Sequence, residues 1–549
     1  MLLTSYVPTS ALQAVLAAVI LFLPCALLFP AWLASRRAST SSKAWPLAQG
    51  ISLLALLAAL LAGLEVVVHG AASVAPAAWL PVVRLDALSV LMLALTTFLG
   101  WVIVRYSRNY LAGDPGQGRY LAWLCLTLAA VWLLVMLNNL LLLCLAWTAT
   151  SLALHQLLTF YRDRPAAIVA AHKKFLISRA ADLLTFAGTL LVFLSLNTLQ
   201  IDRITQLLAG GHPVDTGLQL AAMLFVLSAI LKCAQLPFHG WLLQVMEAPT
   251  PVSALLHAGI VNIGGFVLLR LAGLLETAPA AQLLLVVAGS VTAALAALVM
   301  MTRISVKVML AWSTCAQMGF MLLEIGLGAY PLALLHLLAH SLYKAHAFLG
   351  AGERVARQRM LDIAPVNRPL GNGLKLLALA GLLLALGLVG FASGLDPRHE
   401  PALWVLGGAL ASSLLPLVSA PAETRASRQV VLLVVSALGL ALLYGLWHRL
   451  FASLVPAASM PPGNLSLAVA AVCLAGLLVV QQIVLGQPQG RLSRWLHPRA
   501  FAGFHLDEIF TRITLRLWPA PLGAARRTQA ALPFISTTRT SKATETGNE

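Results

Sequence analysis

Charge is what this chain has least of. Only 10% of its 549 residues are Asp, Glu, Lys or Arg, against 60% hydrophobic. A soluble globular domain carries about 25% charged residues, so that class is excluded. Acidic residues are the scarcer kind, 19 against 36 Lys and Arg, leaving a formal net charge of +17. The basic residues sit in short loops between apolar runs, so they read as topology determinants and not as a nucleic-acid surface. Cysteine is sparse too. Cys25, Cys125, Cys144, Cys233, Cys315 and Cys473 lie singly in apolar segments, without disulfide or metal-ligand spacing. They read as small buried hydrophobes. Neither a metal nor a cofactor is expected, and nothing marks the chain as an enzyme. The first apolar run has no basic segment before it and no convincing cleavage site, so a removable signal is not expected.

What remains is membrane-length apolar sequence from end to end. The expected fold is an all-α polytopic bundle of about fifteen transmembrane helices. They fall near 11–34, 47–68, 84–105, 119–137, 139–160, 175–196, 217–241, 252–275, 281–302, 306–328, 330–350, 373–394, 402–419, 429–448 and 465–486. Loops after odd-numbered spans hold most of the basic residues, among them Arg36, Arg105, Lys173, Lys174, Arg303 and Arg354. Loops after even-numbered spans hold only Arg84, Arg203, Arg270, Arg398 and Arg449. By the positive-inside rule the N-terminus faces outward and the odd loops and C-terminal tail face the cytoplasm of an inner membrane. In the tail, Phe501, Phe504, Leu506, Ile509, Phe510, Ile513 and Leu517 recur three to four apart, which predicts an amphipathic helix on the membrane or on a partner. The stretch from Thr528 is polar and expected to be disordered.

One stretch combines features a bilayer penalises. Lys232 ends an apolar run, Pro237 must break the helix five residues later, and Pro249 and Pro251 precede a segment carrying His257. An intramembrane ionisable group beside a broken helix reads as part of an ion path; a lysine snorkelling to the interface is the plainer alternative. Three other constellations accompany it. Arg179 and Asp182 are three apart and share a helix face, as a structural ion pair or as part of a path. His336, His340 and Lys344 recur every fourth residue, a ladder of protonatable groups on one face. Lys307 opens another span, where snorkelling would also explain it.

These stretches resemble the antiporter-like subunits of respiratory complex I and of Mrp-type cation/proton antiporters. The resemblance runs over roughly 80–355 and rests on the text at 232–242, Met246 to His257, 307–319 and His336 to Gly352. It implies two inverted five-helix repeats with broken helices. It makes Lys232 the central proton-carrying lysine, with His257 and Lys307 continuing the path that the His336, His340 and Lys344 ladder would extend, and matches Arg179 and Asp182 to the family's Arg-x-x-Asp. Pro237, Pro249 and Pro251 mark the break, and Glu247 is a further coupling candidate.

The departures from the pattern matter as much. Span five of the family carries Trp-Glu, the carboxylate partner of the lysine. Here the text is Trp147-Thr148, and no acid replaces the glutamate in that span. His155, two turns on, is a candidate substitute or an ordinary polar helix residue. Span twelve, which bears a lysine and an aspartate in the large complex I subunit, has no ionisable group from Leu376 to Gly394.

With its length and shortened C-terminal part, the chain is most similar to the DabB-type membrane subunits of inorganic-carbon accumulation complexes. That resemblance implies a cytoplasmic DabA-like partner related to zinc carbonic anhydrases. The implied function is admission of protons or sodium to drive bicarbonate accumulation. A proton-pumping subunit of a complex I-like or Mrp-type assembly, or a non-conducting membrane anchor, are the alternatives. The expected divisions are N-terminal helices (1–110), the antiporter-like core (111–355), C-terminal helices (356–490) and the basic tail (491–549).

Overall fold

The computed structural model describes residues 11–36, 38–75, 82–162, 164–352, 401–413, 461–487 and 489–518, with a few isolated positions between 387 and 450. In chain order the helices are α1 (Ala11–Ala26), α2 (Leu28–Ser35), α3 (Ala38–His69), α4 (Ala87–Tyr110), α5 (Gln117–Met136), α6 (Leu140–Leu158), α7 (Pro165–Leu196), α8 (Ile201–Ala209), α9 (Thr216–Lys232), α10 (Gly240–Gln244), α11 (Thr250–Ala258), α12 (Ile263–Arg270), α13 (Ala272–Glu276), α14 (Pro279–Met300), α15 (Val306–Gly326) and α16 (Tyr330–Leu349). They continue with α17 (Pro401–Ser413), α18 (Asn464–Gly486), α19 (Arg491–Phe501) and α20 (Glu508–Leu517). A two-stranded antiparallel hairpin, β1 (Ala72–Val74) with β2 (Val83–Leu85), precedes α4.

The protein is a multi-pass membrane protein. Ten helical stretches among the described residues are long and apolar enough to cross a bilayer. Leu183, Leu194 and Val67 point outward from them, 72%, 68% and 81% exposed, as a lipid-facing surface requires. Interior packing relies on small residues where backbones meet. At Gly289 of α14 and Gly319 of α15, an added Cβ would collide with the facing backbone. Such close approach substitutes for the hydrophobic drive that lipid cannot provide between helices. Side-chain caps start several helices: Asp86, Asn139 and Asp215 accept the backbone N–H of Ser89, Leu142 and Leu218.

Three expectations need correction. The sixth span starts at Pro165, so Lys173 and Lys174 lie within a helix and not in a loop. The seventh span does not continue to residue 241: α9 stops at Lys232, and Ala234 takes a left-handed conformation (φ 52°) before a cis Leu236–Pro237 bond. The cysteines are not uniformly buried, since Cys25 is exposed and Cys473 partly so. Spans twelve and fourteen, with the absence of ionisable groups in span twelve, lie outside the described residues.

The break is stitched by hydrogen bonds that take up its freed polar groups. Gln235 Nε2 donates to Cys233 O (2.9 Å), and Leu236 N–H donates to Thr292 Oγ1 (3.2 Å). Cys233 Sγ reaches Val261 O at 3.2 Å, inside a second interruption between α11 and α12. Irregular backbone at membrane depth is tolerated when protein encloses it in this way.

Candidate functional site

At the end of α9, Lys232 is not alone. Its Nζ donates to Asp182 Oδ1 of α7 at 2.6 Å, fifty residues away in sequence. The other oxygen of that carboxylate, Oδ2, lies 2.7 Å from Arg179 Nη2, one turn back on α7. The same ammonium stands 3.7 Å above the Trp147 ring of α6, a cation–π contact. One carboxylate therefore serves two cations, and both lysine and aspartate side chains are 7% exposed.

This answers the missing glutamate. Thr148 is not the lysine's partner; its buried hydroxyl has no hydrogen-bond partner among the described residues. The acid beside Lys232 among the described residues is Asp182 of span six, which the resemblance matches to the family's Arg-x-x-Asp. His155 is not the substitute either. Its ring packs on Phe175 (centroids 5.2 Å apart) and lies 6.5 Å from Trp518, two turns from Trp147 toward the end of the bundle that carries the basic loops.

Helices α6 and α7 meet along a polar seam. Trp147, Ser151 and His155 recur every fourth residue on α6, as do Lys174, Ser178 and Asp182 on α7. Cys144 contacts Thr189 (3.2 Å), Trp147 faces Lys232 on Asp182, and Ser151 binds Lys174 through Oγ (2.7 Å) and O (2.8 Å). Thr185 and Ser228 add a hydroxyl pair at 2.6 Å between α7 and α9.

The second half gathers its groups around α16. His257 of α11 is fully buried and stacks on Phe348, ring centroids 4.4 Å apart, with no hydrogen bond to either ring nitrogen among the described residues. His340 is buried and equally without a ring-nitrogen partner there. Lys344 donates to Ser313 Oγ (2.7 Å) and Leu310 O (3.1 Å) of α15. Asn262, at the second helix interruption, donates to Ser341 Oγ at 2.7 Å and so fixes that interruption beside His340. His336 lies 6.1 Å from His340, ring to ring, and its Nδ1 contacts buried Glu324 Oε2 at 2.9 Å. Glu324 is a site residue that periodicity did not reveal, because its partner is on the next helix.

Two candidates lie elsewhere. Lys307 bonds Thr250 Oγ1 (3.1 Å) at the basic end of the bundle. Glu247 pairs with Arg164 at 3.3 Å, both about half exposed and apart from Lys232.

The tail departs from expectation as well. Residues 491–518 form two helices, turned at Phe504 and His505 (φ 55° and 58°), and they pack on this chain's own core. Asp507 Oδ2 accepts from fully buried Lys173 (2.6 Å) and from Gln244 (3.2 Å). Its carboxylate sits against Gly240, where any side chain would strike it. Trp518 stacks on His172 at 3.9 Å, and Phe510 meets Phe238 edge to face at 5.9 Å. A cavity of about 450 Å3 lies between tail and core, lined by His239, Arg303, Trp312, Phe501 and Asp507. Ile509 and Leu517 still face outward, 72% and 69% exposed.

Residues 137–420 match the family described as NADH:quinone oxidoreductase/Mrp antiporter, TM, and residues 82–121 match the complex I chain 5 N-terminus. A probable inorganic carbon transporter subunit DabB of Hydrogenovibrio crunogenus is 39% identical over 479 residues, covering 87% of this chain and 91% of that one. The NADH-quinone oxidoreductase subunit L of Escherichia coli is 35% identical over 271 residues, covering 49% of this chain and 44% of that one. The Mrp complex of Dietzia sp. shares the fold, with a TM-score of 0.55 at 23% identity, covering 96% of this chain and 58% of that chain.

Proposed function

The chain belongs to the NADH:quinone oxidoreductase/Mrp antiporter family, and we propose that it is the proton-conducting membrane subunit of an inorganic-carbon accumulating complex. The observation that carries the conducting role is the Lys232–Asp182–Arg179 cluster at a broken helix. Arg179 and Asp182 are an oppositely charged pair, which is neutral overall. The proton on Lys232 then toggles the cluster between net charge +1 and zero. Asp182 and the Trp147 face favour the charged form, and burial favours the neutral one. A lysine balanced in this way can accept and release a proton, whereas a snorkelling lysine would stay charged.

From this pair the path runs laterally through His257 to Lys344 and His340, then along α16 to His336 and Glu324 at the opposite end of the bundle. Buried ring nitrogens without partners among the described residues, as at His257 and His340, suit a relay that binds its proton only in passing. Sodium fits less well, since it needs several free oxygen ligands and the Asp182 carboxylate is already shared by two cations.

The coupling reading rests on likeness to the DabB relatives, which extends over most of both chains. In it the basic end of the bundle is cytoplasmic in an inner membrane, by the distribution of Lys and Arg. A cytoplasmic partner related to zinc carbonic anhydrases converts carbon dioxide to bicarbonate there, driven by the inward proton flow. Two linked measurements test this. The tagged chain, purified from membranes, should bring with it a zinc protein of that class. Lys232→Ala should keep the assembly and abolish carbon-limited growth. Recovery of quinone-reducing subunits, or gradient-sensitive carbon uptake by the variant, would reject the reading.

A further inference from the structure

One buried base has no part in the path just described. Lys174 is 4% exposed, inside α7, and its Nζ bonds only the carbonyl and hydroxyl oxygens of Ser151 (2.8 and 2.7 Å) among the described residues. The charged groups close enough to act on it are Lys232, Arg179 and Asp182. Two of those three are cations, and the one carboxylate is already committed to them. An ammonium held in a membrane interior without its own counter-ion is unfavourable. A neutral amine there is not, and it retains a lone pair.

Its place along the seam gives that lone pair a use. Lys174 lies eight residues before Asp182, about 12 Å along the helix axis toward the basic end. One turn beyond it on α6 is His155, and two residues before it is His172, which lies under the Trp518 ring. The order from the basic end inward is therefore the two histidines beneath Trp518, then Lys174 on Ser151, then Lys232 on Asp182.

We propose that Lys174 is a proton-accepting residue that takes protons from the Lys232–Asp182 pair toward the basic end of the bundle. The inference rests on the proton-conducting reading above. Its step is a plain transfer. An N–H bond of protonated Lys232 breaks as an N–H bond forms on the Lys174 amine. That N–H bond then breaks as the lone pair of a base at the mouth, such as a ring nitrogen of the histidines beneath Trp518, takes the proton. Ser151 holds the amine in place through both states, and Trp518 covers the mouth.

The test uses the purified complex in liposomes with an internal pH dye, reading initial proton uptake under an imposed pH gradient. Lys174→Gln keeps an N–H donor for Ser151 O and an acceptor for Ser151 Oγ but carries no exchangeable proton. It should lower uptake roughly tenfold or more, the usual worth of a positioned proton-transfer group, with an unchanged melting temperature. Lys174→His should restore part of the rate with the pH profile moved toward acid, because imidazole binds its proton less tightly than an amine. Uptake by the Gln variant at the wild-type rate, or an unshifted profile in the His variant, would overturn the assignment. The His profile still decides the matter should the Gln variant not assemble. A wild-type complex that takes up no protons would reject the conducting reading itself, a different outcome from wild-type and Gln variant conducting alike.

Discussion

The two halves of the core hold buried bases by different means. Around α7 and α9 the cation is compensated: Lys232 and Arg179 share the Asp182 carboxylate, with the Trp147 face alongside. Around α11 and α16 the bases rest on weaker support. His257 lies on an aromatic ring, His340 has no hydrogen-bonded ring nitrogen among the described residues, and Lys344 bonds a hydroxyl and a carbonyl. Among the described residues, Glu324 brings a carboxylate to the far end of that half, on His336. A compensated site can store a charge, and an uncompensated one can only pass it on. The difference divides the work, with relay along α16 and storage of the charge beside Asp182.

The largest effect should come from stripping the compensated half of its acid. Asp182→Asn leaves two cations facing no carboxylate, and breaking a buried pair costs about 3–5 kcal/mol unless Lys232 stays neutral. Either outcome removes the toggle, so proton uptake by the reconstituted complex should fall about a hundredfold or more. In the relay half, His340→Phe should reduce uptake roughly tenfold. Its melting temperature should hardly move, because a ring without hydrogen bonds is being exchanged for an apolar ring of similar shape. A large loss of stability in that variant would mean that His340 is structural, and the contrast between the halves would fail. The smallest effect is expected outside both halves. Glu247 forms an exposed pair with Arg164, so Glu247→Gln should change stability by less than about 1 kcal/mol and leave uptake unaltered. A strong loss there would show that the path reaches the loop before Pro249.

Sequence legibility followed the same division. The α16 ladder was visible because its members share one helix and a four-residue period, and the helix break was visible because Pro237 cannot continue a helix. The family resemblance carried the fold. Hidden were contacts between helices: Asp182 with Lys232, Glu324 with His336, Asp507 with Lys173. No local periodicity encodes a pairing across fifty or three hundred residues. Past Thr148 the first ionisable side chain of span five is His155, whereas the carboxylate beside Lys232 belongs to the Arg179–Asp182 motif of span six. Lys173 and Lys174 were hidden for another reason. Two adjacent lysines before an apolar run resemble a loop, yet Pro165 starts the helix two turns earlier and the tail covers it. The tail's amphipathic pattern was legible, but its inner face proved to be spoken for by Phe238 and Gln244 of the same chain.

The central claim is that Asp182 supplies the carboxylate on which Lys232 depends, in a chain whose span five has Thr148 where the family has glutamate. It is tested most directly by initial proton uptake in liposomes holding the complex with Asp182→Asn alone or together with Thr148→Glu. If the claim holds, the single variant is inactive, and the double variant, with an acid returned to the α6 side of Lys232, regains a substantial part of the wild-type rate. Wild-type uptake by Asp182→Asn alone would contradict it, because the lysine would then be exchanging its proton without any carboxylate beside it.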